Sequence, residues 1–168
     1  MEGTAGTEAR GSGKDCDQVD KRFQEVWNRV TSTGMTDDKG KLQAFIQEER
    51  KDAAEYAALA GCTGSPQARR LFSRLSGEER EHARKLTAAA YMLNGDTCSA
   101  GGAKPEVKCG KTLQALRRRY EAEQRGAEAY ETAAEAAHDR RLRSLYAALA
   151  EDERRHGDLL WDLMKRMM

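Results

Sequence analysis

An all-α fold, a four-helix bundle built from two antiparallel hairpins with a short helix ahead of it, follows from three features of this sequence. The 168 residues are 34% charged and include only two prolines, and the many Ala, Glu, Arg and Leu residues favour helix over sheet. Apolar residues recur three and four apart along four long segments, the spacing of one helix face. The second half then repeats the first after 74 residues: 116–160 laid on 42–86 agrees at 12 of 45 positions. Two copies of one helical hairpin facing each other account for all three.

Composition also narrows the function. The 29 basic and 28 acidic residues, net charge +1, are interspersed, so no basic face points to nucleic acid or to an anionic membrane. The opening MEGTAGTEARGSGKD has no apolar segment, and no later stretch nears the roughly 18 apolar residues of a membrane span. A cytoplasmic location is the expectation. Cys16, Cys62, Cys98 and Cys109 contain no C-x-x-C pair, which excludes a zinc ribbon or a four-cysteine iron site. In a reducing compartment they read as free thiols, a Cys98 to Cys109 bridge within one loop being the alternative.

Residues 1–36 read as a polar tail and a short amphipathic helix carrying Val19, Phe23, Val26, Trp27 and Val30, and the bundle occupies 37–168. The first bundle helix starts at Asp37 or Asp38 and stops before Gly61, with Leu42, Phe45, Ile46, Glu49, Ala53, Tyr56 and Ala60 inward. The second opens at Ser65-Pro66, a cap followed by proline at the first helical position, and runs to Gly95. It turns Leu71, Phe72, Leu75, Glu79, His82, Leu86 and Leu93 inward. The third, Lys111 to His138, repeats the first with Leu116, Tyr120, Glu123, Ala127, Tyr130 and Ala134. The fourth, capped by Asp139, repeats the second with Leu145, Tyr146, Leu149, Glu153, His156, Leu160 and Met164. Very short loops inside each hairpin force antiparallel pairs. The glycine-rich Gly95 to Gly110 connection is long enough to cross the bundle, where an up-down-up-down arrangement needs only a short turn.

The candidate chemistry lies within these stripes. Glu79-x-x-His82 and Glu153-x-x-His156 each place a carboxylate and an imidazole on one helix face, so each pair can reach one ion. Glu49 and Glu123 add two carboxylates, completing the ligand pattern of di-iron and di-manganese helical bundles. Six such groups among Leu, Ala, Phe and Tyr are tolerable in a core when they coordinate metal. Oxygen-rich sites with one imidazole per ion suit iron or manganese. Tyr56 and Tyr130 follow Glu49 and Glu123 by seven residues, two turns along the same face, and read either as partners for a ligand carboxylate of the opposite hairpin or as core aromatics. Glu48, Glu78 and Glu81 fall off the stripe and read as solvated, as does His138 at a helix end.

Glu49 with Tyr56, followed by Glu79-Arg80-Glu81-His82-Ala83, resembles the first two helices of the rubrerythrin branch of the ferritin-like superfamily, over about residues 37–166. The resemblance implies a ferritin-like bundle with a non-haem di-iron centre whose reduced iron reacts with hydrogen peroxide or dioxygen. It implies Glu49, Glu79, His82, Glu123, Glu153 and His156 as ligands, and Tyr56 and Tyr130 as supporting residues. It also implies a homodimer, with hairpins exchanged between subunits as a variant form. Typical members carry a further ligand Glu three residues after the third-helix Glu, where this chain has Gly126. They also carry a rubredoxin domain not seen in these 168 residues, so a separate electron-donor protein is expected. Peroxide reduction is the leading expectation. A ferroxidase or oxygen-reducing protein, a di-manganese catalase-like enzyme and a metal-binding bundle without turnover are the alternatives.

Overall fold

The computed structural model describes residues 35–95, 107 and 110–168. The expected amino-terminal helix and most of the connection after Gly95 lie outside the described residues. Four helices make up the rest: α1 (Met35–Cys62), α2 (Pro66–Asn94), α3 (Thr112–Ala136) and α4 (Arg140–Met167), with no strand among the described residues. α1 runs through Gly61 because a glycine in the last turn leaves the backbone ladder intact, and Thr63 N–H still closes on the Leu59 carbonyl at 3.0 Å. Among the described residues no helix is long and apolar enough to cross a membrane. Cys62 is disulfide-bonded, which corrects the free-thiol reading for that residue. Local spacing is blind to a bridge that joins cysteines distant in sequence.

The helix starts are fixed by paired caps. Ser65 Oγ accepts the Ala68 N–H at 3.2 Å, while Asp139 accepts those of Arg141 and Leu142 at 2.7 and 3.2 Å. Each satisfies amides that a helix start leaves open. The repeat extends into the loops, since Arg69 and Arg143 donate to the Thr63 and Ala137 carbonyls at 3.1 and 2.9 Å. Gly95 stops α2 in the left-handed region at φ 62°, a conformation glycine adopts without a Cβ clash.

Helix directions follow from the contacts. Tyr56 of α1 meets Glu123 of α3, and Tyr130 of α3 meets Glu49 of α1, so the later α1 residue faces the earlier α3 residue and the two helices are antiparallel. Glu78 facing His156 and His82 facing Asp152 set the same relation between α2 and α4. α1 and α2 are themselves antiparallel, so α2 and α3 point the same way and the connection between them must span the bundle's length. This is the crossover topology, and the fold is an all-α ferritin-like bundle.

The core has two apolar clusters, one toward each end. One gathers Leu42, Ile46, Leu86, Ala90, Tyr130, Leu142, Tyr146 and Leu149. The other gathers Tyr56, Leu59, Phe72, Leu75, Leu116, Leu160 and Met164. Glu49, Glu79, His82, Glu123, Glu153 and His156 occupy the layer between them, each no more than 6% exposed. Apolar packing thus closes the polar layer at both ends.

Candidate metal centre

The structure brings all six candidate ligands together from the four helices. His82 Nδ1 lies 3.0 Å from Glu79, 3.3 Å from Glu153 and 3.4 Å from Glu49. His156 Nδ1 lies 3.0 Å from Glu79 and 3.4 Å from Glu123. The two imidazoles are nearly parallel, with centroids 5.4 Å apart. Ligand-type atoms of Glu49, Glu79, His82 and Glu153 lie within 4.8 Å of one another, and so do those of Glu79, Glu123, Glu153 and His156. Glu79 and Glu153 therefore belong to both groups, one oxygen of Glu79 facing each histidine. Each Glu-x-x-His pair keeps its glutamate and histidine in one group, and each of the two glutamates also reaches the other group, because a carboxylate at the centre of the bundle has two oxygens and can span two positions.

The donor set fits a pair of metal ions. Both Glu79 oxygens, His82 Nδ1, Glu123 Oε2, Glu153 Oε1 and His156 Nδ1 are buried without a hydrogen-bond partner, an arrangement that native cores avoid unless something else satisfies those atoms. All are oxygen or imidazole nitrogen, donors suited to iron or manganese.

Partners behind the ligands hold them in place. The Tyr56 hydroxyl donates to Glu123 Oε1 and the Tyr130 hydroxyl to Glu49 Oε1, each across the two hairpins. The free oxygen of each carboxylate is left facing the centre. Behind the histidines, His156 Nε2 lies 2.9 Å from Glu78 and His82 Nε2 lies 3.3 Å from Asp152. A carboxylate on the far nitrogen fixes the tautomer that leaves Nδ1 to coordinate. Glu78 is half-buried and engaged, contrary to its reading as solvated, whereas Glu48 and Glu81 are exposed as expected. Glu78 and Asp152 are 74 residues apart, each directly before a candidate ligand glutamate, and the repeat carried that signal.

The metal-free cluster shares protons. Burial pushes Glu49 up to about 7 and Glu153 up to about 10, against the pull of the nearby His82 ring. Burial opposes charging the imidazoles, but the carboxylates packed around them hold His82 up at about 12 and His156 at about 10. Burial also works against Glu79 and Glu123, yet the facing histidines keep both below the usual carboxylate range.

Two departures from the repeat lie beside the centre. Arg119, only 3% exposed, donates to Glu123 Oε1 at 2.9 Å and to Asp52 and Glu55 at 2.8 and 3.3 Å, and its guanidinium lies 4.3 Å from the Tyr56 ring centre. Its counterpart 74 residues earlier is Phe45, which stacks on Tyr130 at 4.3 Å. The other departure is Gly126, the counterpart of Asp52. A Cβ at Gly126 would come within 3.2 Å of Glu153 Oε2, so the missing side chain makes room for a shared carboxylate.

A four-helix crossover bundle with buried glutamates and two Glu-x-x-His pairs defines the ferritin-like di-metal class. Within that class, the family model for rubrerythrin matches residues 42–164, and the chain belongs to the rubrerythrin family, whose members bind a di-iron centre. Comparison with curated proteins and with solved structures returned no match.

Proposed function

We propose that this protein is a non-haem di-iron oxidoreductase that reduces hydrogen peroxide to water. The observation that supports this reading is the sharing of Glu79 and Glu153 between two buried four-residue ligand groups in a rubrerythrin-family bundle. Conversion of one peroxide to two waters consumes two electrons and two protons, and two iron(II) ions, when bound, supply the electrons. Glu49 and His82 would hold one ion, Glu123 and His156 the other, with Glu79 and Glu153 common to both. Tyr56 and Tyr130 orient the two terminal carboxylates. A cleft of about 380 Å³ lined by Glu78, Lys85, Asp152 and Arg155 opens on the imidazole side, and its carboxylates can pass protons from solvent toward the histidines. A separate donor protein would return the electrons.

A ferroxidase-type or oxygen-reducing role is the second reading. Gly126, standing where typical rubrerythrins carry a further ligand glutamate, favours it. Anaerobic purification with metal analysis, then stopped-flow mixing of the reduced protein with peroxide and separately with oxygen, decides between them. Faster oxidation by peroxide is expected. Faster oxidation by oxygen would favour the second reading, and a chain isolated with zinc or with no bound metal would sink both.

A further inference from the structure

We propose that Arg119 makes the two metal positions unequal, so that the Glu49/His82 position binds its ion tightly and the Glu123/His156 position binds its ion weakly. The inference rests on the reading of the centre as a two-metal site. It turns on a break in the symmetry that otherwise relates the two halves. Glu49 and Glu123 stand 74 residues apart, as do Tyr130 and Tyr56 in reverse order, and each glutamate receives one tyrosine hydroxyl on Oε1. On that account alone the two positions would be twins.

The environments behind the tyrosines differ. Behind Tyr130 lie Phe45, stacked at 4.3 Å, and Tyr146, 6.0 Å away, both uncharged at neutral pH. Behind Tyr56 lies the Arg119 guanidinium. Its Nη2 donates to the same Glu123 oxygen that Tyr56 reaches, while Nη1 is held by Asp52 and Glu55. Those two acids brace the fork and their two formal charges outweigh its one, so what acts on Glu123 is the guanidinium's direct hydrogen bond and not a net positive charge. A buried, permanently charged donor on a ligand carboxylate draws electron density from the oxygens and leaves them weaker donors to a cation. Among the described residues Glu49 Oε1 accepts from the Tyr130 hydroxyl and no guanidinium is seen on it. Arg119 is thus a positioning residue that acts on metal through Glu123.

Anaerobic addition of Co(II) to the metal-free full chain, followed by its visible absorption and by calorimetry, tests this without any turnover. The wild type should bind two ions in two steps separated by about tenfold or more in affinity, the size of effect that partners behind a ligand exert. Glu123→Gln should lose the weak step and keep the tight one, and Glu49→Gln should do the reverse. Arg119→Phe, which copies the Phe45 side, should keep two ions per chain while the steps merge, and Arg119→Lys should keep them apart. Equal binding of both ions by the wild type, loss of the tight step in Glu123→Gln, or an unchanged gap in Arg119→Phe would each overturn the proposal. Should Arg119→Phe fail to fold, the wild type and the two glutamine variants still decide it. A wild type that binds no Co(II) at all instead removes the two-metal reading beneath it.

Discussion

Glu79 and Glu49 are both buried carboxylates beside His82, yet they occupy different places in the cluster. Glu79 faces both histidines, whereas Glu49 faces His82 only. Glu79→Ala should therefore lose both metals, while Glu49→Ala keeps one per chain, as metal analysis after anaerobic loading will show. Gly126→Ala should produce two effects of opposite sign. Removing a helix-interior glycine stabilises the metal-free chain by up to about 1 kcal/mol. The new Cβ presses on Glu153 Oε2 and should cut metal affinity about tenfold, in the range seen when ligand support is disturbed. Gly157→Ala serves as the comparison, because its Cβ would meet Glu123 and Tyr120 only at 3.7 Å and beyond. Thermal unfolding without metal and Co(II) affinity read the two effects separately.

The helices stand on local signals that chemical denaturation can weigh. Ser65→Ala and Asp139→Ala each remove a cap that satisfies backbone amides and should each cost about 1 kcal/mol. These same features made the helices readable: Ser65-Pro66 and Asp139 mark starts, Gly95 marks a stop, and the apolar spacing runs between them. The six candidate ligands stood out in the sequence because charge recurred inside apolar stripes at a constant offset. What stayed hidden lies just off those stripes. Glu78 and Asp152 sit on faces that look solvated along one helix and become half-buried only when α2 and α4 pack together. Arg119 looks like one more arginine in a chain with many, although it lies one turn before Glu123, where a side chain on the same face can reach it. The sharing of Glu79 and Glu153 depends on helix-to-helix spacing, which no single-helix pattern encodes.

Taken together, the centre can exchange protons for metal at constant charge. Without metal, two ionised carboxylates balance two imidazolium rings while Glu49 and Glu153 hold protons. With two divalent ions, four carboxylates and two neutral rings again sum to zero. All four proton-holding groups are raised, so protons compete with metal, and affinity should climb with pH. Binding two ions near pH 6 should release about four protons, and about three above pH 7, once the Glu49 proton is already lost. Calorimetry in buffers of different ionisation enthalpy measures the count, and a release near zero would contradict the shared-proton picture. The reciprocal tyrosine bonds carry one more consequence. Each joins a hydroxyl of one hairpin to an acid of the other, and within each helix the two partners stand two turns apart. Sliding one hairpin along the other by a single turn, about 5.4 Å, would break both bonds at once and strand two acids in the dry interior. Hairpin docking should then behave as a lock with one notch, in which a partly slipped arrangement retains neither metal position.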